Sequence, residues 1–362
     1  MPTTFKPAVA QVLGAAVLFG TTGTAQALGP AGTTPLGVGA VRLALGGAVL
    51  LGMLPLLGGR PGRAVTLWRS PLGLAAGVCT AIYQLCFFAA VKAAGVALGT
   101  LVTIGSGPVF AGLLALFLLG EKPARSWITA TSLCVVGLGL LSADGAGQAG
   151  VQVVGLLLAL GAGLAYATYT VAAKRLICQG EASSTVMGSA FGLGGLLLIP
   201  VLLTQPLGWL GTSSGLALAA YLGLLTTALA YVLFGRGLAV LPAGPVTTLV
   251  LAEPLVATLL GVGLLGERLA ALGLAGAAFV LAGLSLQGFA ASRRMPAGSP
   301  PLPGQDRPRP MRTQGTTSGT GRDPCCAVGR HRAGIGRVEG GTLADPADAC
   351  RRARSRWDGR TP

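Results

Sequence analysis

Acidic residues and histidine are scarce over most of this 362-residue chain. The first 290 residues contain no histidine, and their acidic residues are Glu121, Asp144, Glu181, Glu253 and Glu267. Enzymes need clustered carboxylates, metal-binding histidines or a nucleophile beside its base. The cysteines show no metal-ligand spacing either. We therefore expect neither an enzyme nor a metal or other cofactor.

Charged residues are also few, at 10% of the chain, whereas hydrophobic residues make up 52% and the mean hydropathy is +0.71. A water-soluble globule needs more charge than this on its surface. A helix crosses a bilayer with roughly 20 apolar residues, and ten stretches are long enough. They lie near 8–27, 33–57, 70–91, 96–119, 126–142, 152–174, 183–204, 214–237, 244–265 and 269–289. The strict alternation of barrel strands is missing, so we expect an all-α membrane protein with ten transmembrane helices.

The chain contains an internal repeat, because a segment from about residue 8 to 143 recurs 146 positions later. The clearest copies are SGPVFAGLLALFLLGEK at 106–122 and LAEPLVATLLGVGLLGER at 251–268. The repeat predicts one five-helix half over 8–143 and a second over 152–290. Because five crossings is an odd number, the two halves should insert into the membrane in opposite directions.

The distribution of lysine and arginine predicts the orientation. With a cytoplasmic N-terminus, the outer loops receive only Lys92 and Arg268. The inner loops and helix ends receive Lys6, Arg60, Arg63, Arg69, Lys122, Arg125, Lys174, Arg175, Arg236, Arg293 and Arg294. This bias places both termini in the cytoplasm. A cleavable signal peptide is the alternative for the first segment, but residues 15–28 align with 161–174 at the same spacing, which favours a transmembrane helix.

The composition changes abruptly near residue 291. The segment 291–362 is rich in Arg, Pro, Gly, Ser and Thr, and it carries 14 of the 26 basic residues of the chain. Such a segment cannot form a core, so we expect a disordered basic tail. We predict no nucleic-acid binding from its charge. A weak attraction to anionic lipid headgroups is one alternative, and an extension without function is the other.

The motifs resemble those of a known family. The two "Pro, small or apolar residues, LLLGE" copies quoted above, LPAGPVT at 241–247 and VRLALGG at 41–47 are similar to EamA-type members of the drug/metabolite transporter superfamily. The resemblance implies a secondary transporter in the cytoplasmic membrane of a bacterium. It implies alternating access for a small metabolite such as an amino acid or amine, and we expect export. A multidrug exporter and a passive lipid-handling bundle are the alternatives.

Two charges are predicted at membrane depth, where charges are costly. Arg42 lies about nine residues into the second segment and Glu253 about eight into the ninth, so each comes near the midplane at about 1.5 Å per residue. We hypothesise that they pair, or that Glu253 binds a proton as the coupling ion. Alternatively, Glu253 caps nearby backbone and Arg42 reaches toward the headgroups. The chain has no Gly-x-x-x-x-Gly-Lys-Ser/Thr loop for a nucleotide, so an ion gradient is the expected energy source.

Polar and aromatic residues are expected to line the substrate cavity that the resemblance implies. The candidates are Thr21, Thr22, Gln26, Tyr83, Gln84, Thr103, Ser106, Tyr166, Tyr169, Thr227, Tyr231 and Thr248. Aromatic faces with hydroxyl groups suit small zwitterions or amines. The alternative for each Ser or Thr is a hydrogen bond to helix backbone. Pro108 and Pro254 are predicted to kink equivalent helices at the cavity, or else they serve packing. The oligomeric state stays open.

Overall fold

The structure is a computed structural model that describes residues 5–94, 96–144, 153–265 and 271–293. Every regular element in these ranges is helical. The first half contains α1 (Phe5–Ala27), α2 (Pro35–Gly52), α3 (Pro61–Leu67), α4 (Pro71–Ala94), α5 (Val96–Leu119) and α6 (Arg125–Asp144). The second half contains α7 (Val153–Cys178), α8 (Ser183–Leu197), α9 (Ile199–Leu202), a 3₁₀ turn (Gly208–Gly211), α10 (Ser213–Ala220), a π-helical segment (Tyr221–Leu229), α11 (Ala230–Val240), α12 (Ala243–Val250), α13 (Ala252–Leu265) and α14 (Ala271–Arg293).

Seven helical stretches in the described ranges are long and apolar enough to cross a membrane. They are Lys6–Ala27, Pro35–Gly52, Pro71–Ala94, Val102–Leu119, Val153–Cys178, Ser213–Val240 and Ala243–Leu264. The apolar helices Arg125–Leu140 and Ala271–Gln287 are shorter. The expectation of an all-helical chain with membrane-length apolar helices is confirmed. Ten crossings in two inverted halves stay a prediction, and the predicted tail lies outside the described residues beyond the end of α14.

Local sequence decides where several helices begin. Thr34 Oγ1 accepts a hydrogen bond from the Gly37 amide at 3.0 Å, and Ser70 Oγ accepts one from the Gly73 amide at 3.1 Å. In both cases a proline follows the capping residue, and its fixed backbone angle suits the first helical position. The free amides of the first turn thereby find an acceptor at the helix end.

The second half is less regular than the first. Residues Tyr221–Leu229 form a π-helical segment, which is uncommon and frequently occurs at functional sites. The stretch that corresponds to α5 is interrupted at Leu251, between α12 and α13, three residues before Pro254. By contrast, α5 is continuous through Pro108.

Helices of the two halves pack in matching combinations. Helix α2 packs against α8, and α6 packs against α14, its equivalent in the repeat. Helix α4 packs along α7, and the equivalent stretch of the π-helical segment and α11 packs along α1. Similarly, α5 contacts α7 as α12 and α13 contact α1. The packing therefore follows the repeat seen in the sequence.

The contact between α6 and α14 shows the relative direction of these two helices. Cys134 Sγ lies 3.7 Å from the carbonyl oxygen of Val280, its equivalent 146 positions later. A β-carbon at Gly137 would lie 2.6 Å from the Gly276 carbonyl oxygen, and one at Gly283 would lie 2.7 Å from the Ala130 carbonyl oxygen. Residues after the crossing point in one helix thus meet residues before it in the other. The two helices run antiparallel, and glycine permits their close approach.

Helix α3 attaches the first half to α8. Trp68 Nε1 donates to the Ser189 carbonyl oxygen at 3.0 Å, and Ser189 Oγ donates to the Ala64 carbonyl oxygen at 2.8 Å. Arg63 Nε also donates to Glu181 Oε1 at 2.8 Å, ahead of α8. Because the ion pair is solvent-exposed, we expect the two bonds at Ser189 to contribute more to this attachment.

The glycine crossing predicts a stability effect. Gly137→Ala should lower the free energy of unfolding by about 1–3 kcal/mol, because the new methyl group would overlap the backbone of α14. The measurement is the melting temperature of the purified protein in detergent. Gly139→Ala is the matched control, since no atom lies within 4 Å of a β-carbon there. Equal melting temperatures for the two variants would contradict the crossing.

Candidate functional site

A cavity lies between helices of the two halves. Its volume is about 10 Å³, which is room for about one water molecule. The lining residues are Arg42, Leu43, Thr80, Tyr83, Gln84, Tyr169, Phe191, Thr227 and Tyr231. They come from α2, α4, α7, α8, the π-helical segment and α11. Any molecule larger than water would fit here only if these helices separated.

Arg42 reaches the cavity from the middle of α2. Within the described part of the chain, its guanidinium group makes no hydrogen bond and no ion pair. Its charge acts over a longer distance on Glu253, Tyr83 and Tyr231. A charged group away from water destabilises the protein unless a partner compensates it. Arg42 is therefore available to a ligand of opposite charge.

Gln84 enters the cavity wall from α4 and is only 2% exposed. Its Nε2 atom finds no hydrogen-bond acceptor among the described residues. The amide lies against α2 at Gly39, where a β-carbon would approach Nε2 to 2.5 Å. Gly39 precedes Arg42 by three residues and so lies on the same side of α2. A glycine at this point lets the amide group approach the helix that carries the guanidinium group.

Aromatic rings from five helical elements form one connected cluster around the cavity. The ring of Tyr231 lies 3.7 Å from that of Phe191 and 4.9 Å from that of Phe19, measured between centroids. Tyr169 contacts Phe191 at 5.9 Å. Tyr166 joins the cluster through Tyr169 at 5.4 Å and through Tyr83 at 5.9 Å. The rings provide an apolar wall with polarisable faces, on which a cation can rest.

The threonines of the cavity use their hydroxyl hydrogens within their own helices. Thr80 Oγ1 donates to the Ala76 carbonyl oxygen at 2.8 Å. Thr227 Oγ1 donates to the Leu222 carbonyl oxygen, also at 2.8 Å and five residues away, which matches the wider turn of the π-helical segment. Their oxygens can still accept hydrogen bonds.

Glu253 lies near the middle of the apolar stretch Ala243–Leu264, in the first turn of α13. It forms no direct ion pair with Arg42, although the two charges interact at longer range. Its backbone carbonyl oxygen lies against Gly20, where a β-carbon would come within 2.7 Å. In the repeat, Glu253 and Gly20 are equivalent to Gly107 and Tyr166, and these two residues are also in contact.

Three of the predicted lining residues lie on α1 outside the lining of this cavity. Thr21 Oγ1 donates to the Leu18 carbonyl oxygen at 2.7 Å and accepts from the Tyr221 hydroxyl at 2.9 Å. The hydroxyl of Thr22 is buried without a partner among the described residues. Gln26 is partly exposed near the end of the helix. Their role in substrate binding stays a prediction.

Three further predicted residues take part in helix packing. Thr103 Oγ1 donates to the Ala159 carbonyl oxygen on α7 at 3.2 Å, and Ser106 Oγ donates to the Thr103 carbonyl oxygen at 3.3 Å. Thr248 shares a 2.9 Å hydrogen bond with Thr131 of α6. Such hydrogen bonds are common for Ser and Thr in membrane helices, and the role of these three residues in substrate binding stays a prediction.

Three residues that were not predicted also line the cavity, namely Leu43, Thr80 and Phe191. Leu43 directly follows Arg42, so the predicted position of that charge could have indicated Leu43 as well. Thr80 lies four residues before Gln84, on the same helix face. No signal marked Phe191, because an aromatic residue in an apolar helix is compatible with core, lipid contact or a site.

Two charged residues hold the corner between α11 and α12. The Ala243 amide, at the start of α12, donates to Glu121 Oε2 at 3.1 Å. Lys174 Nζ donates at 2.9 Å to the Leu238 carbonyl oxygen, near the end of α11. Each charge thus lies at the helix end that favours it. Burial raises the pKa of the Glu121 carboxyl above its usual value of 4.5, while Lys174 and the Ala243 amide lower it in part.

Comparison with known proteins relates the chain to membrane transporters. The EamA-like transporter family matches residues 6–143 and 153–288. The uncharacterized transporter YwfM of Bacillus subtilis (strain 168) is 42% identical over 273 residues, which are 75% of this chain and 90% of that protein. The threonine/homoserine exporter RhtA of Escherichia coli (strain K12) is 30% identical over 265 residues, which are 73% of this chain and 84% of that protein.

A solved structure has the same fold. It is the crystal structure of a protein with 22% sequence identity to this chain, and the two match with a TM-score of 0.67. The match covers 79% of this chain and 98% of the other chain. At this level of identity the match is informative about the fold alone.

The cap formed by Glu121 predicts two different effects. Glu121→Ala should lower the free energy of unfolding by about 1.5–3 kcal/mol, because the Ala243 amide loses a charged acceptor. Glu121→Gln keeps an acceptor oxygen, so its free energy of unfolding should fall by less than that of Glu121→Ala.

The stability of the wild type should also depend on pH. Since the pKa of Glu121 is raised in the folded protein, the wild type should lose stability as pH rises from 4.5 through the folded pKa. Glu121→Gln should lose less stability than the wild type over that pH interval. If the melting temperatures of the variant and the wild type depend on pH in the same way, this account is contradicted.

Proposed function

Because the chain belongs to the EamA-like transporter family of the drug/metabolite transporter superfamily, we propose that it is a secondary transporter that exports a small metabolite of the amino acid or amine class. We place it in the cytoplasmic membrane of a bacterium as a multi-pass protein. The name of RhtA describes an exporter of threonine and homoserine, which supports both the substrate class and the outward direction.

The cavity between the two halves is the observation that carries the proposal. It combines the charge of Arg42, the amide of Gln84 and a cluster of tyrosine and phenylalanine rings. Such a mixture of a few polar groups with aromatic walls suits one small polar molecule. Its volume of about 10 Å³ fits a conformation closed around the site. A substrate would enter when helices on one side separate and leave when those on the other side do.

The packing of the helices supports alternating access by two inverted halves. We propose that residues 8–143 and 152–290 are five-helix halves and that 291–362 is a disordered tail. The antiparallel crossing of α6 and α14 agrees with opposite insertion, since these helices are equivalent in the repeat. Both termini lie in the cytoplasm in this arrangement.

Proton coupling through Glu253 is the proposed energy source. A carboxyl group at membrane depth can exchange a proton, and an intramembrane acid is a functional candidate by default. The charged and titratable groups that interact with it are Arg42, Tyr83, Tyr166 and Tyr231. Binding of a proton in one state and its release in the other would link the gradient to transport.

Transport by the purified protein in proteoliposomes tests the proposal. We expect saturable counterflow of a labelled amino acid, with L-threonine and L-homoserine as the first probes and other amino acids, amines and nucleobases as the wider set. Uptake of the labelled amino acid into inside-out vesicles should increase when the vesicle interior is more acidic than the medium. The absence of saturable counterflow for the whole set would instead favour a passive lipid-handling bundle.

The same assay tests the role of Glu253. Glu253→Gln should retain counterflow but lose its dependence on the proton gradient, because the amide cannot titrate. Glu181→Gln is the matched control, since Glu181 lies in a loop beside Arg63, and it should keep the dependence. A Glu253→Gln variant with unchanged gradient dependence excludes this residue as the coupling site.

Opposite insertion of the halves predicts a labelling pattern. In a variant without native cysteines, Glu121→Cys should react with a membrane-impermeant reagent from the cytoplasmic side and Glu267→Cys from the outer side. The two residues are equivalent in the repeat, so each serves as the control for the other. Reaction of both from one side would refute the inverted arrangement.

A further inference from the structure

We infer that Arg42 and Gln84 together bind the carboxylate group of the substrate, and that the substrate is accordingly a zwitterionic amino acid and not a simple amine. The inference rests on the proposed function and specifies the ligand of the same cavity. It assigns a role to Arg42 and Gln84 that differs from that of the proposed coupling residue.

The nitrogen donors of the cavity wall lack acceptors. Thr80 and Thr227 donate to backbone carbonyl oxygens of their own helices. The guanidinium group of Arg42 and Nε2 of Gln84 have no acceptor in the part of the chain that the structure describes. The buried Gln84 Nε2 needs an oxygen-bearing partner, and the guanidinium group of Arg42 is free to bind one. A ligand with acceptor oxygens supplies what the protein itself does not.

The burial of Gln84 makes this requirement strong. The residue is 2% exposed, so water has little access to the amide. A buried donor without an acceptor destabilises the folded state. The unfilled donor of Gln84 therefore points to a ligand that completes its hydrogen bonds.

The two donors lie on one side of α2. The amide nitrogen of Gln84 packs against Gly39, and Arg42 lies three residues further along the helix. Residues three apart are neighbours on a helix surface. A single group that contacts Arg42 can therefore also reach Gln84.

A carboxylate fits this pair better than other anions do. Its two oxygens match the planar fork of a guanidinium group, and a neutral amide can bind one of them in addition. A phosphate would bring a second negative charge, for which the lining offers no second cation. The site therefore corresponds in charge to a group with one negative charge.

The surroundings favour a positive charge on the same ligand. Aromatic rings and Arg42 line the same small cavity, so a ligand held at Arg42 by its carboxylate has its other end beside those rings. The rings of Tyr231 and Phe191, 3.7 Å apart, border the cavity next to Arg42. An ammonium group is attracted to such ring faces. The wall thus offers complementary places for both charges of an amino acid.

Paired ligands test the inference on the full-length protein in detergent. Each proteinogenic amino acid and L-homoserine is compared with its own carboxamide, which keeps the ammonium group and loses the negative charge. Thermal shift identifies the amino acids that bind, and calorimetry then measures both dissociation constants. We expect the amino acid to bind about 10- to 100-fold more tightly than its carboxamide, the range for a hydrogen bond to a charged group.

Substitutions locate the preference. Arg42→Gln should reduce the ratio of the two dissociation constants to near unity, and Gln84→Leu should reduce it in part. Arg42→Lys keeps the charge without the planar fork and should give an intermediate ratio. Arg69→Gln and Gln179→Leu are matched controls at exposed positions in loops, and they should preserve the ratio.

The outcomes separate this inference from the proposed function. Binding and counterflow of amines or carboxamides in preference to amino acids would overturn the inference and leave the transporter intact. Equal weakening of both ligands by Arg42→Gln would show a structural role and would also overturn it. Absence of both binding and counterflow for every compound would overturn the inference together with the proposed function.

Discussion

The uncompensated charges of Arg42 and Glu253 inside apolar helices are the constraint on which the site depends. In the described residues neither side chain has a direct ion pair, and each interacts with the other only at longer range. A charge at membrane depth is costly, and it persists where a cavity, a ligand or a functional requirement compensates it. The cavity, the tyrosine rings around it and the unfilled donor of Gln84 are all found on the side of Arg42 that faces the cavity.

The site arises where the two copies differ. The scaffold follows the repeat, as in the crossing of α6 and α14, where equivalent glycines make equivalent contacts. The charges do not follow it: Arg42 is equivalent to Gly188, and Glu253 is equivalent to Gly107. The backbone packs in the same way in both copies, but one copy carries a charge where the other carries glycine. The cavity between them is therefore asymmetric. A small asymmetric molecule such as an amino acid needs such a cavity, because its two ends carry opposite charges.

The candidate site was predictable in part. Depth in an apolar helix identified Arg42, and polar or aromatic character identified Tyr83, Gln84, Tyr169, Thr227 and Tyr231, all of which line the cavity. The same reasoning also selected Thr103 and Thr248, whose hydroxyls bond to neighbouring helices. A hydroxyl group is equally suited to a substrate and to a helix contact, so residue type cannot separate these roles. Phe191 was missed because nothing local distinguishes a ring at a site from one in a core.

The sequence by itself determined the helical class, the positions of the apolar helices, the repeat and the family, because these follow from hydropathy, spacing and motif along the chain. The local sequence also determined where several helices begin, as at the cap formed by Thr34. Only the tertiary structure decided which faces of the helices meet. Helix rotation and crossing depend on contacts between residues far apart in sequence, such as Gly39 with Gln84 and Gly137 with Gly276. Those contacts bring Arg42 and Gln84 into the lining of one cavity, which no local pattern specifies.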